Sequence, residues 1–122
     1  MIKGIGVDII EIERVEKAVN RSPRFIQRIF TEEEIHYFEM KNMKIESIAG
    51  NFAAKEAVMK TLGTGLRGFQ WTDIEIVRNE FGKPEVRLYN EALRIAESQD
   101  IKQIMISISH CKTYAVANGV AV

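Results

Sequence analysis

Residues 46–62 are predicted to form one long α-helix, the most strongly predicted element of the chain. The stretch contains no proline and is rich in alanine, lysine and glutamate, which are all good helix formers. Gly63 follows it, and glycine commonly adopts the left-handed conformation just beyond a helix. The helix is therefore expected to end at Leu62.

The residues before this helix carry strand and helix signals. Residues 2–8 alternate so that Gly4 and Gly6 share a face with Asp8, which predicts a strand ending at that carboxylate. Residues 11–20 place apolar side chains at i, i+3 and i+7, the spacing of a helix that buries one side. Ser22 followed by Pro23 predicts the N-cap and first position of a short helix.

Thr31 and Glu34 have the spacing of a capping box, which predicts the start of a further helix. After Gly63, strands are predicted over 73–78 and 85–88, a helix capped by Asn90 through 96, and strands over 103–109 and 113–120. We write the order as β-ααα-ββ-α-ββ, an α+β fold built on a largely antiparallel sheet. The 122 residues suit one domain, 1–122.

Composition excludes several classes of protein. The 17 basic and 17 acidic residues cancel, which argues against a nucleic-acid binder or a membrane-surface protein. No apolar run approaches the roughly 18 residues that a membrane helix needs, so a cytoplasmic protein is predicted. With a single cysteine and no Cys/His cluster of zinc-site spacing, any metal must be held by oxygen ligands.

The charge is nevertheless uneven along the chain. Between Arg14 and Arg28 the only acid is Glu16, and the segment has a net charge of +4. Its five basic residues recur at spacings of three and four, which keeps them on one side of a helical segment. They are Arg14, Lys17, Arg21, Arg24 and Arg28. This basic segment predicts an acidic partner.

Two places carry candidate carboxylates. Asp8 follows two glycines that leave one strand face bare, where a bulky group can approach it, or else it caps the next helix. Glu56 and Lys60 are four residues apart and therefore share one side of the long helix. The alternative for that pair is an ordinary exposed ion pair, worth only about 0.2–0.5 kcal/mol.

Two further segments are compatible with ligand binding but do not identify the ligand. Residues 63–68 (GTGLRG) have the spacing of a dinucleotide-binding loop, but they follow a helix where that motif follows a strand, so we reject this reading. A ligand near the helix exit and a plain turn both remain open. At residues 107–112 (SISHCK), His110 either binds a phosphate or makes only a structural hydrogen bond.

Together and in this order, these signals resemble one family, the small holo-acyl-carrier-protein synthases, a branch of the phosphopantetheinyl transferases. The resemblance runs nearly end to end. It is carried by residues 4–12 (GIGVDIIEI), by residues 52–57 (FAAKEA) with Lys60, and by residues 107–110 (SISH). It implies a homotrimer with an active site at each subunit interface, and a role in fatty acid biosynthesis.

The resemblance also implies a reaction and its residues. A serine of apo-acyl carrier protein would attack the β-phosphorus of coenzyme A and release 3',5'-ADP. Asp8 and Glu56 would coordinate Mg²⁺ with the pyrophosphate, a donor set that suits this hard cation. Lys60 would meet a phosphate oxygen, and Glu56, directly or through water, would take the serine proton.

Two sets of contacts follow from the same resemblance. The coenzyme A contacts, some of them donated by a neighbouring subunit, would be Lys60, Gly63, Lys83, Pro84, Ser109 and His110. The carrier-protein docking residues would be Arg14, Arg21, Arg24 and Arg28.

Two alternatives belong to other functional classes. One is a non-catalytic module that binds acyl carrier protein through the basic segment and uses Asp8 only as a cap; magnesium dependence separates it from a transferase. The other is a metal-dependent hydrolase that cleaves coenzyme A with water, which product analysis with and without carrier protein distinguishes.

Overall fold

The computed structural model describes residues 1–65 and 67–122. The described residues form five strands and five α-helices. In chain order they are β1 (Gly4–Glu11), α1 (Ile12–Arg21), α2 (Phe25–Ile29), α3 (Glu32–Met40), α4 (Ile45–Leu62), β2 (Ile74–Arg78), β3 (Pro84–Leu88), α5 (Asn90–Ser98), β4 (Ile104–His110) and β5 (Tyr114–Ala121). The α+β fold is confirmed. Four helices precede β2, which matches the four helices predicted individually, although the written order β-ααα-ββ-α-ββ has one helix too few.

The strands form two antiparallel sheets where one was predicted. The larger sheet has the order β1-β5-β4, and the smaller consists of β2 and β3. The last strand therefore lies between the first strand and β4, with Asp8 opposite Ala117 and His110 opposite Ala115. Helix α4 packs on one face of the larger sheet.

The glycines of β1 allow α4 to approach the sheet closely. A Cβ atom on Gly6 would lie only 2.4 Å from the Ala57 carbonyl oxygen and 2.7 Å from the Thr61 nitrogen. On β5, a Cβ atom on Gly119 would lie 2.6 Å from Thr61 Oγ1. The bare strand face therefore receives the protein's own helix, and the expectation that these two glycines make room for a bulky ligand was wrong.

We expect Gly6→Ala to lower the free energy of unfolding by about 3 kcal/mol, because the new methyl group meets backbone atoms that cannot turn away. Gly50→Ala is the control. Its Cβ would lie 3.1 Å from a side-chain methyl of Ile108, so we expect a change within about 1 kcal/mol. Urea denaturation followed by circular dichroism measures both, and equal stabilities would contradict the close-approach argument.

Helix α4 contributes to both hydrophobic clusters of the structure. Its alanines Ala53, Ala54 and Ala57 pack into the larger cluster, with residues of β2, α5, β4 and β5. Near its start, Ile48 and Ala49 pack into the smaller cluster with residues of α1, α2 and α3. Since burial of apolar surface is the main stabilising force, α4 is held from both sides, and so are the polar side chains it carries.

The local signals at the helix ends were partly right. The capping box is confirmed: Glu34 N donates to Thr31 Oγ1 at 3.3 Å, and Thr31 N donates to Glu34 Oε1 at 2.9 Å. The long helix ends as predicted, with Gly63 in the left-handed conformation at φ 80°. Leu66, part of the glycine-rich motif, lies outside the described residues.

Two predicted caps were wrong. Ser22 is the C-cap of α1, where its N–H donates to the Ala18 carbonyl at 3.2 Å, and α2 begins only at Phe25. Asn90 is the first residue of α5, with φ 53°, and its Nδ2 donates to Asp73 Oδ1 at 3.0 Å. Ser22 therefore ends the preceding helix, and the Asn90 side chain makes a tertiary contact with Asp73.

Candidate active site

Strand β1 and helix α4 bring together three side chains that sequence analysis singled out. Lys60 Nζ lies 3.4 Å from Asp8 Oδ1 and donates to the Val7 carbonyl at 3.1 Å. Asp8 is 13% exposed and Lys60 55%. Asp8 and Glu56 line the same cavity. Lys60 thus pairs across the helix–sheet junction with Asp8, which is not the ordinary pair within one helix that was the alternative.

The cavity beside these carboxylates has a volume of about 390 Å³ and is otherwise mainly apolar. Its other lining residues are Ile9, Ile10, Arg14, Val15, Ala18, Phe25 and Phe52. The ring centroids of Phe25 and Phe52 are 6.0 Å apart, and Phe52 stacks on Trp71 at 5.3 Å. One wall is therefore a rigid aromatic stack, and Arg14 brings a positive charge from α1.

The two carboxylates are held in surroundings that disfavour their charged forms. Burial, together with the charge of Asp8, raises the pKa of Glu56, and Lys60 opposes that rise. Burial also raises the pKa of Asp8, against the hydrogen bond and charge of Lys60. A further cation would relieve this strain, because opposite charge favours ionised carboxylates.

The donor set decides which cation fits. Among the residues that the structure describes, no group of three or more His, Cys, Asp or Glu side chains could hold a metal. A cation bound here would therefore have the two oxygen ligands of Asp8 and Glu56 and would take the others from substrate or water. Mg²⁺ commonly binds in this way, whereas zinc usually takes three or four protein ligands.

A second cavity, of about 180 Å³, lies between the start of α4, the β2–β3 turn and the end of β4. It brings together Pro84 and His110, which were predicted to bind the same ligand. Its lining residues are Tyr37, Glu46, Ser47, Gly50, Arg78, Gly82, Pro84, Ile108 and His110. It shares no lining residue with the first cavity.

Arg78, in this second cavity, was missed by sequence analysis. Its Nη2 donates to Asn51 Oδ1 at 2.9 Å, and its guanidinium carbon lies 4.5 Å from the Tyr37 ring centroid. Within the described part of the chain, Arg78 Nη1 and Asn51 Nδ2 are buried without an acceptor. The available signal was a basic residue at the end of a strand whose other residues, apart from Glu75, are apolar.

The other residues predicted to bind coenzyme A are not gathered in one place. Lys83 and Ser109 are exposed, and Ser109 faces the side of β4 opposite to His110 because side chains alternate along a strand. Gly63 and Lys60 lie at the far end of α4 from the second cavity. One chain alone therefore does not assemble the predicted set.

The basic segment is split between two helices and lies on the surface. Arg14 and Arg21 belong to α1, Arg24 precedes α2 and Arg28 lies on it, and all four side chains are exposed. Lys17 pairs with Glu13 at 3.3 Å. Arg14, Val15, Ala18 and Phe25 all line the first cavity, so the segment borders that cavity along much of its length.

The face of the larger sheet opposite α4, which we call the outer face, is uncovered and is apolar along β1, with polar residues such as Ser107 and Asn118 on the other two strands. Ile5, Val7 and Ile9 of β1 are 69%, 57% and 64% exposed. The register places Val120 and Met105 in the same row as Ile5, on β5 and β4. Ser109 belongs to this face as well.

The structure can now be compared with known proteins. The profile of the 4'-phosphopantetheinyl transferase superfamily matches residues 4–118. The holo-[acyl-carrier-protein] synthase of Alkaliphilus oremlandii is 54% identical over 122 residues, 100% of each chain. The crystal structure of the Helicobacter pylori synthase in complex with coenzyme A has a TM-score of 0.86 and 34% identity, covering 97% of this chain and 99% of that one.

A second solved structure, the Bacillus anthracis synthase in complex with CoA (3',5'-ADP), has a TM-score of 0.80 and 39% identity, covering 99% of this chain and 96% of that one. Among the described residues, no helix is both long enough and apolar enough to span a membrane. Because both the profile and a relative more than half identical cover nearly the whole chain, the protein belongs to the holo-[acyl-carrier-protein] synthase family of the 4'-phosphopantetheinyl transferase superfamily.

Proposed function

We propose that residues 1–122 act as a single transferase domain that moves the 4'-phosphopantetheine group of coenzyme A to a serine of apo-acyl carrier protein. The observation that carries this proposal is that Asp8 and Glu56 line one cavity, with Lys60 Nζ 3.4 Å from Asp8, in a member of this family. The relatives solved with coenzyme A support it as the donor.

The metal in this proposal is Mg²⁺, held by Asp8 and Glu56. The fit is supported by the oxygen-only donor set and by the raised pKa of both carboxyl groups, which a bound cation would lower. When bound, the ion would neutralise charge on the pyrophosphate. The other roles in the reaction, proton acceptor and phosphate contact, belong to side chains of the protein.

The transfer needs one proton acceptor and one cation besides the metal. The serine oxygen forms a bond to the β-phosphorus as the bond from that phosphorus to the oxygen of the leaving 3',5'-ADP breaks. Glu56 takes the serine proton, directly or through a water, because its carboxylate lines the cavity and can accept a hydrogen bond from the serine hydroxyl. Lys60, which is half exposed, contacts a phosphate oxygen by turning from Asp8.

Coenzyme A would contact two subunits. The nucleotide end would lie near Pro84 and His110 in the second cavity, with Lys83 and Ser109 at its edge, while Lys60 and Gly63 would contact the phosphates from α4. The support is that these residues lie in separate regions of one chain. A neighbouring subunit that brought its second cavity to the first cavity would complete the set.

The assembly we propose is a homotrimer that covers the outer face. The support is the row of exposed apolar side chains on a sheet whose other face packs against α4, since monomeric proteins seldom leave large apolar patches exposed. Ser109 would then lie at the subunit interface. A cytoplasmic location and a role in fatty acid biosynthesis stay predictions.

The basic segment would dock the carrier protein. We expect Arg14→Glu and Arg24→Glu to raise KM for carrier protein about tenfold and to leave KM for coenzyme A nearly unchanged, because rim charges act mainly on association with a charged partner. Arg94→Glu, at an exposed position of α5, is the control. Steady-state kinetics at two salt concentrations measures this, and equal losses toward both substrates would contradict carrier docking.

The proposed function itself is tested by incubating the protein with apo-acyl carrier protein, coenzyme A and Mg²⁺. Mass spectrometry should show phosphopantetheine on a serine of the carrier protein, and 3',5'-ADP among the products. Cleavage of coenzyme A without carrier protein would instead favour the hydrolase. Binding of carrier protein with no covalent product would favour the non-catalytic module.

A further inference from the structure

A lysine that the proposed reaction does not use lies fully buried beside the candidate active site. Lys55 precedes Glu56 on α4, and its side chain is 0% exposed. In the sequence it lies between two alanines and Glu56, and no role was predicted for it. Lysine is almost never fully buried unless it is paired, so its surroundings need an explanation.

The Lys55 ammonium is surrounded by oxygen atoms from four different segments. Nζ lies 2.8 Å from Glu34 Oε1 on α3, and donates to the carbonyls of Ile29 at 2.9 Å, Trp71 at 3.0 Å and Ile74 at 2.5 Å. An ammonium has three hydrogens to donate, so no donor is left for a substrate. Lys55 therefore does not bind phosphate in this structure; it links segments.

Glu34 is held as firmly as Lys55. It is also 0% exposed, and besides Lys55 it accepts from Thr31 N at 2.9 Å and from Ile76 N at 3.0 Å. The Thr31 hydroxyl in turn donates to Glu75 Oε2 at 2.6 Å. The ion pair is thus the centre of a buried network that connects α3, α4 and β2.

One of these bonds reaches the docking surface. Ile29 is the last residue of α2, so the Lys55 ammonium satisfies a free carbonyl at the end of the helix that carries Arg28 and Phe25. Phe25 and Phe52 form an aromatic wall of the first cavity, which Asp8 also lines. Lys55 therefore joins α2 to α4 one residue before Glu56.

We propose that Lys55, held by Glu34, is a positioning residue for transfer, because its bond to the end of α2 sets the distance between a docked carrier protein and the Asp8–Glu56 pair. This inference depends on the proposed function. None of the residues predicted to contact coenzyme A lies on α2 or in this network. The role is therefore specific for the carrier-protein substrate.

The variants must separate positioning from stability, because removing one partner of a buried ion pair is strongly destabilising. Lys55→Met removes the ammonium and keeps the length of the side chain. Glu34→Gln keeps the shape of its side chain and removes the charge that holds Lys55. Ile104→Ala, in the larger cluster on β4, is the control, since it lowers stability without touching the network.

Each variant is assayed at a temperature where circular dichroism shows it fully folded. We expect kcat/KM for carrier protein to fall about a hundredfold in Lys55→Met and about tenfold in Glu34→Gln, because small misplacements of reacting groups cost this much. The dissociation constant of coenzyme A, measured by calorimetry, should change less than about twofold, which corresponds to about 0.4 kcal/mol of binding free energy. Ile104→Ala should keep both values.

Two results would overturn the proposal in an active wild-type protein. One is a loss in Ile104→Ala as large as in the other variants, which would make the effect one of stability alone. The other is equal weakening of coenzyme A binding. If Lys55→Met does not fold, Glu34→Gln decides by the same two measurements. A wild type that never modifies carrier protein would instead contradict the proposed function.

Discussion

Glu56→Gln and Asp8→Ala should each reduce transfer by roughly a thousandfold or more while the fold is retained. Each removes one of only two protein ligands from the proposed magnesium site. A metal contributes several kcal/mol of charge stabilisation, and each 1.36 kcal/mol is about tenfold in rate. Turnover and circular dichroism must be measured on the same samples, at saturating coenzyme A.

Glu56→Gln should also raise the melting temperature of the metal-free protein at neutral pH. Burial raises the pKa of Glu56 above its ordinary value of 4.5, so the folded chain holds this proton to higher pH than the unfolded chain. The stability that this bound proton contributes is present below the ordinary pKa. It is lost as the pH rises above that value, and the loss is complete above the raised pKa. Glutamine carries no charge and removes this penalty.

These two measurements give Glu56→Gln opposite effects on activity and stability, which general misfolding would not produce. Calorimetry in the presence of coenzyme A should show weaker Mg²⁺ binding by both variants, and zinc should support the wild-type reaction poorly. Near-normal turnover by either variant would contradict the two-carboxylate metal site.

Ile5→Glu should convert the proposed trimer to a monomer and reduce activity about a hundredfold or more. Ile5 is 69% exposed in the single chain, so the substitution should cost little in the monomer. In a trimer that covers the outer face, the new glutamate would be an unpaired buried carboxylate, which costs several kcal/mol. Each 1.4 kcal/mol weakens the association constant of the subunits about tenfold. Light scattering would then give one chain mass, 13.9 kDa.

Met40→Glu is the matched control for this prediction. Met40 is also 69% exposed, but it lies on α3, away from the outer face. We expect it to keep both the assembly and the activity. An Ile5→Glu protein that stayed trimeric, or a monomer with full activity, would contradict both the interface and the shared active site.

The parts of the fold that could be predicted depend on local chemistry. The composition of residues 46–62 and the glycine after them determine α4 and its end, because helix propensity and a left-handed C-terminal residue act within a few residues. The capping box at Thr31 is local in the same way. The cap assigned to Ser22 was wrong because that residue ends the preceding helix, and Asn90 was misassigned because it lies inside α5 and its side chain contacts Asp73, outside the local pattern.

The candidate site could be predicted only as separate parts. Asp8 and Glu56 each stand in a motif, and the resemblance joined them, but their common cavity exists because the glycines of β1 and β5 let α4 approach the sheet. Lys55 and Arg78 were missed because charged residues are usually exposed, and their burial depends on partners far along the chain.

By itself, the sequence determined the order and kind of the main elements, the family, and the carboxylates on which the proposed chemistry depends. Only the tertiary structure decided that the strands form two sheets, that Lys60 pairs with Asp8, that Lys55 is buried against Glu34, and that an apolar sheet face is left uncovered. The physical reason is the separation along the chain over which each interaction acts. Propensities and caps act between neighbours in sequence, whereas burial, desolvation and ion pairing depend on which distant segments pack together.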